Sequence, residues 1–99
     1  MTYQTYRLTW EGIEIEARYD PKYAGGIIAH LEVEAINPER AKLPMTETGY
    51  RSHFHQVGTI EAEHNGDVVK AVIHWLNEEA QSKAWQRYIE ASKQGDLFA

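Results

Sequence analysis

Two histidines separated by one residue are the side chains best placed for chemistry in this 99-residue sequence. On a strand, His53 and His55 point to the same side, where two imidazoles can chelate a metal ion or serve as acid and base. His53 with Glu47 is a second acid–base combination. A metal site needs further ligands, and the candidates are His30, Glu63, His64 and His74. Spacing does not bring these together, and no nucleophile elbow or phosphate loop accompanies them. We therefore predict a protein that is not an enzyme and has no resident metal or cofactor.

The last six residues suggest binding rather than catalysis. On a terminal tail Leu97 and Phe98 add little to a core, but as an extended peptide they can fill an apolar pocket on a partner. The segment resembles the short peptide with which bacterial replication and repair proteins bind the DNA polymerase sliding clamp. The matching positions are Gln94, Asp96, Leu97 and Phe98, and Gly95 departs at the tolerant second position. The alternatives are a chance match, or a helix cap at Gly95 with the apolar residues folded back onto the last turn.

A polar and aromatic stretch in the middle of the chain is a candidate second contact surface. Its members are Thr48, Tyr50, Arg51, His53 and Phe54. Arg51 with Tyr50 can bind a carboxylate or a phosphate; alternatively, Arg51 pairs with a glutamate of the sheet. Residues 43–54, with 10–15 and 74–79, resemble small uncharacterised bacterial proteins often encoded on plasmids and other mobile elements. That resemblance implies no activity.

Composition excludes several classes of protein. Ten Lys and Arg against 15 Asp and Glu give a net charge of −5, which argues against a broad basic face for nucleic acid. The absence of cysteine excludes a disulfide scaffold, a thiolate zinc site and a cysteine nucleophile. No targeting segment and no apolar run of membrane-spanning length is present, so we expect a cytoplasmic protein. The length predicts one domain over residues 1–93, followed by a tail over 94–99.

Alternating apolar residues predict an antiparallel sheet. A β-hairpin over residues 3–19 has a two-residue turn at Glu11 and Gly12, which places Trp10 opposite Ile13. The remaining segments follow from period-two alternation and from Pro and Gly positions: a break at 20–22, a third strand over 27–36, a loop over 37–49, an extended segment over 50–57, and a connection over 58–66 with a short turn around Ile60.

The C-terminal third is predicted to be helical, with a change of direction. Asn65 or Asp67 can cap the helix at its start. Trp85 falls on the opposite side of the helical wheel from Val72 and Leu76. We infer a break between residues 77 and 82 with Ser82 as a second N-cap, or else a straight helix whose second half packs on another chain. Gly95 is predicted to end the helix, and Trp85 is the candidate exposed anchor for a homo-oligomer.

The glutamates of the sheet form a candidate acidic surface. Four of them share its predicted solvent face: Glu14, Glu16, Glu32 and Glu34. Such an array can imitate a phosphate backbone, although Arg7, Arg18 and His30 interrupt it and a solvated face is the plainer interpretation.

Together these patterns predict an α+β fold, a three- to four-stranded antiparallel meander packed on one face by a C-terminal helix or helical pair. The function we predict is that of a small interaction protein that binds the sliding clamp through its tail. The alternatives are an acidic inhibitor or nucleic-acid mimic, and a histidine-based metal-binding protein.

Overall fold

The computed structural model describes residues 3–97, with side chains through residue 93. Four antiparallel strands lie in the order β1-β2-β3-β4 and are followed by helices. The elements are β1 Gln4–Trp10, β2 Ile13–Lys22, the short turn α1 Tyr23–Gly26, β3 Ile28–Asn37, β4 Tyr50–His55, α2 Thr59–His64, α3 Val68–Glu79 and α4 Lys83–Leu97. The predicted α+β architecture, a four-stranded meander with C-terminal helices, is confirmed.

The β1–β2 hairpin has the predicted register, with Trp10 opposite Ile13 and Leu8 opposite Ile15. Gly12, at φ +77°, supplies the left-handed backbone that a two-residue turn needs. Because the period of a strand is two, this register puts every apolar residue of the hairpin on one face.

That apolar face is covered by α3, which packs across β1 and β2. Asp67 caps α3, since its side chain accepts a hydrogen bond from the Lys70 amide at 3.0 Å. The buried residues of α3 recur at a spacing of four, which places them on one stripe: Val68, Val72 and Leu76. They join the inward-facing residues of β1, β2 and β3 in a single core.

The predicted break between α3 and α4 is confirmed. Ser82 accepts a hydrogen bond from the Trp85 amide at 3.1 Å and so caps α4. The prediction that Trp85 is an exposed anchor is wrong, because its side chain is 7% exposed and its ring lies 6.0 Å from that of Trp10. The break turns α4 so that Trp85 completes the core of its own chain. Gly95 does not end the helix, since α4 runs to Leu97.

Three further predictions about the strands need correction. β2 does not break at residues 20–22 but continues to Lys22. Pro21 is tolerated because it follows Asp20, the last residue of β2 that pairs with β3, so its missing amide removes no hydrogen bond between the strands. Ile27 lies before β3 and is 83% exposed. The fourth extended segment ends at His55.

His30 lies on the same face of β3 as Glu32 and Glu34, as predicted, but its side chain is buried instead of exposed to solvent. The Tyr3 hydroxyl lies 2.5 Å from its Nδ1 and the Ser52 hydroxyl 2.7 Å from its Nε2. The Phe54 ring stacks on the imidazole at 4.2 Å.

The segment between β4 and α3 contains α2 instead of a single turn. Gly58 and Asn65 flank α2 in left-handed conformations, and Ile60 anchors it in the core.

The loop between β3 and β4 depends on Gly49. Its carbonyl accepts a hydrogen bond from the Ala35 amide at 2.8 Å. A Cβ atom at this position would lie 2.5 Å from the Arg40 carbonyl carbon, so the two backbone segments can cross only at a glycine.

We predict that Gly49→Ala lowers the free energy of unfolding by about 3 kcal/mol or more, because a backbone clash adds to the cost of a left-handed alanine. Gly12→Ala is the matched control, since Gly12 also has φ +77° and a Cβ atom added there would meet nothing within 4 Å. The control isolates the conformational cost, about 1 kcal/mol. Urea denaturation measures the free energy of unfolding of both variants. An equal decrease in the two variants would contradict the close approach of the Gly49 and Arg40 backbones.

Candidate functional site

A groove of about 260 Å³ opens between β4 and the helices α2 and α3. We call it the histidine groove, after the imidazoles that line it together with an indole and two carboxylates. Its polar and aromatic members are His53 and His55 from β4, Glu63 and His64 from α2, and His74, Trp75 and Glu78 from α3. Leu31, Ile60 and Ala71 form its apolar walls.

The position of α3 explains why polar side chains occupy the helix-facing side of β4. Arg51, His53 and His55 alternate along the strand and pair with Val33, Leu31 and Ala29 of β3. α3 packs across β1 and β2, so the inner side of β4 lies at the margin of the core. The inner side of β4 is therefore not packed against a helix as those of β1 and β2 are, and a space remains between β4 and the helices.

The histidines of the groove form two pairs. The rings of His53 and His55 lie 5.6 Å apart and those of His64 and His74 lie 5.5 Å apart. Nowhere in residues 3–97 are three His, Asp or Glu side chains grouped so that they could hold a metal ion. His30, one of the ligand candidates, lies on the other face of the sheet and cannot complete a site with His53 and His55.

His55 is oriented by its backbone surroundings. Its Nδ1 donates to the Gln56 carbonyl at 3.1 Å, and its ring stacks on that of Tyr19 at 6.0 Å. In the neutral imidazole this bond makes Nε2 the acceptor, and that atom is buried with no hydrogen-bond partner among the described residues.

The surroundings of His53 favour its neutral form. Burial lowers its pKa below the usual value, and the nearby His55 and Arg51 lower it further. Its ring lies 4.9 Å from that of Trp75. Glu47, the expected acid–base companion, lies instead in the loop with its carboxylate 3.9 Å from the Lys42 amine and does not line the groove.

The predicted second contact surface is divided between the two faces of the sheet. Tyr50 and Phe54 lie on the outer face, where the Tyr50 hydroxyl donates to Glu32 and Phe54 stacks on His30. Arg51 lies on the groove side, 6.0 Å from the Trp75 ring, and donates to the Met45 carbonyl at 3.4 Å. It forms no ion pair with a glutamate within the described part of the chain. Thr48 remains in the loop and donates to the Tyr50 carbonyl at 3.3 Å.

The acidic face is largely neutralised by arginines. Arg18, half-buried at its centre, lies 2.6 Å from Glu16, 3.2 Å from Glu34 and 3.5 Å from Glu32. Arg7 is 2.9 Å from Glu14, so each of the four glutamates has a guanidinium partner. The sheet therefore presents a mixed network of charges rather than an array of free carboxylates.

The tail begins on the last turn of α4. Gln94, Asp96 and Leu97 are part of that helix, while their side chains and the whole of Phe98 lie outside the described residues. Between the half-buried Ile89 and residue 94, every side chain of α4 is exposed. The molecule extends 52 Å along its longest axis and 23 and 19 Å along the others.

His53 and His55 could be identified from the sequence, but the groove could not, because its other walls come from β3 and from two helices whose lining residues lie 4 to 25 residues away along the chain. Nothing in the sequence marks Trp75 as part of a site, since a tryptophan in a small domain is usually a largely buried residue. Its half-buried ring beside His53 shows that it is a groove wall.

The fold and the groove define a small α+β domain with an open surface groove. Residues 3–85 match the family model described as the KlcB third domain, and the chain belongs to that family. No curated protein and no solved structure matches the chain. Within residues 3–97, none of the helices combines the length and the apolar character that crossing a membrane would take.

We predict that His53 titrates below its usual pKa of 6.5 in the folded chain. The unfolded chain then binds more protons as the pH falls below 6.5, so His53 lowers the free energy of unfolding in that window and has no such effect above it. Histidine proton NMR measures the pKa directly. His55→Gln removes a neighbouring charge and should raise the pKa of His53; a value of 6.5 or higher in the unaltered chain would contradict the assigned environment.

Proposed function

We propose that this domain is a non-enzymatic interaction module that binds the bacterial sliding clamp through Gln94–Phe98. The observation that carries the proposal is the position of this peptide at the end of a helix whose last described side chains are all exposed. The family description, a third domain, is that of one part of a larger protein. This supports a role as a module that connects partners, and a clamp partner implies a cytoplasmic location.

The attachment of α4 supports presentation of the tail. Trp85 is buried against Trp10, and Ile89 packs on the core one turn later. The Lys42 amine lies 4.4 Å from the centre of the Tyr88 ring on the same part of the helix. These contacts fix the direction of α4 without involving residues 90–93, whose side chains are all exposed.

Binding as an extended peptide requires the last turn of α4 to unwind. Gly95 lowers the cost of that step, because a glycine in a helix is less favourable than an alanine by about 1 kcal/mol. The hydrogen bonds of a terminal turn are also few and solvent-accessible. A glycine at the second position of the motif is therefore compatible with a peptide that is helical when free and extended when bound.

The geometry favours tail docking over the acidic-mimic alternative. A phosphate mimic needs carboxylates that are free to face a basic cleft, whereas the four sheet glutamates are engaged by Arg7, Arg18 and Arg40. A partner would have to displace those guanidinium groups before it could use the carboxylates.

We predict that Leu97→Ala/Phe98→Ala weakens binding to a purified bacterial clamp by about 2 kcal/mol or more, since paired apolar anchors dominate such interfaces. This corresponds to a Kd about 30-fold higher, measured by surface plasmon resonance with immobilised clamp. Glu90→Ala/Lys93→Ala is the matched control, because it truncates two exposed side chains of the same helix and leaves the net charge unchanged.

A synthetic peptide of residues 90–99 should compete with the whole chain for the clamp, since the proposal assigns no clamp contact to the domain body. Equal affinities of the double variant and the unaltered chain would overturn the proposal, as would failure of the peptide to compete.

A further inference from the structure

β4 is a free edge of the sheet. It pairs with β3 on one side only, and in the described part of the chain no strand pairs with its other side. The backbone amides and carbonyls of such an edge can accept an additional strand at a spacing of about 4.8 Å. β1, the other edge, has its inner side filled by the buried Leu8 and Trp10.

The histidine groove lies directly beside this edge. A strand added to β4 would direct alternate side chains into the groove, past His53 and toward Trp75. The volume of about 260 Å³ and the walls of Leu31, Ile60 and Ala71 suit one large apolar side chain. The exposed carboxylates of Glu63 and Glu78 belong to the same lining and would attract basic side chains, which at Glu78 would compete with His74 Nε2, 3.2 Å away.

Exposed apolar groups lie near the same edge. Among the described side chains, four large apolar ones are exposed, and three of them lie at this end of the sheet, namely Ile27 at 83%, Phe54 at 49% and Val57 at 42%. The pairing of Ala29 with His55 brings Ile27 and Val57 to the same end of β3 and β4. An added strand would partly cover Phe54 with its outward-facing side chains, so both faces of that strand would meet apolar surface.

We propose that β4 and the histidine groove bind an extended segment of a partner protein as a fifth strand, with a large apolar side chain in the groove and basic side chains beside Glu63 and Glu78. Main-chain hydrogen bonds to β4 supply affinity, and the groove selects the anchor. This site is distinct from the tail, so one domain can hold two partners at once.

The composition of β4 argues against a second copy of this chain as the occupant. Opposite residues in an antiparallel pair share a face. A second β4 would therefore present Arg51, His53 and His55 to the groove, none of which is an apolar anchor. Phe54 would lie on the outer face of both copies.

The test is a titration of the full chain with acetyl-Lys-Val-Phe-Val-Lys-amide, followed by ¹⁵N NMR. Its phenylalanine and lysines share one face, and its valines the other. We expect shift changes confined to β4, α2 and the groove side of α3. The version with glutamates in place of both lysines should bind about tenfold more weakly.

Backbone methylation distinguishes strand addition from simple burial of the anchor. Alternate amides of the bound peptide point toward β4, and the others point away from it. N-methylation of the amides that point toward β4 should weaken binding about tenfold or more, whereas N-methylation of the others should be tolerated.

Variants of the groove test the anchor and the charges separately. Ala71→Phe fills the groove and should abolish binding. Should that variant unfold, the surface variant Glu63→Lys/Glu78→Lys still decides, because it should reverse the preference between the two peptides. Glu79→Lys/Glu90→Lys makes the same charge change outside the groove lining and should leave the preference intact.

Four results would each overturn the proposal. The first two are the absence of NMR shift changes at millimolar peptide and equal binding of the acidic and basic peptides. The other two are binding that neither methylation pattern weakens, and sedimentation that shows the chain to be a dimer which the peptide dissociates. Because none of these experiments involves the clamp or residues 94–99, failure here is distinguishable from failure of tail docking.

Discussion

The burial of α3 across β1 and β2 is the contact on which the rest of the structure depends. The stripe of Val68, Val72 and Leu76 covers the apolar face of the hairpin, and the sheet is wider than this single layer of helix. β4 consequently lies at the margin of the core, where its inner side chains are Arg51, His53 and His55 instead of aliphatic residues. The histidine groove is the space that results.

The end of α3 also determines the direction of α4. The Trp10 indole donates to Asn77 Oδ1 at 2.9 Å, which links the hairpin to the last turns of α3. Trp85 then packs against the same indole after the break. Because an apolar contact with one tryptophan orients the whole of α4, the placement of the tail follows from a core interaction. Both proposed binding sites thus arise from how one helix packs on one hairpin.

The sequence predicted correctly those elements that depend on residues close together in the chain. The hairpin register followed from period-two alternation and the Gly12 turn, and the helix break followed from the change of apolar side at Trp85. The errors concern the exposure of His30 and of Trp85, which are buried by distant partners: Tyr3 lies 27 residues from His30, and Trp10 is separated from Trp85 by the rest of the domain. The groove was missed for the same reason, whereas the tail peptide could be found because its signal is a contiguous motif.

The tail is proposed to unwind from the end of α4 and to bind the clamp. NMR of the ¹³C,¹⁵N-labelled full chain mixed with unlabelled clamp tests this proposal directly. We expect residues 94–98 to lose helical Cα shifts and to change most, while Trp85, Ile89 and the sheet keep the shifts of the free chain. Changes centred on the sheet glutamates or on β4, or a spectrum unaffected by the clamp, would contradict tail docking.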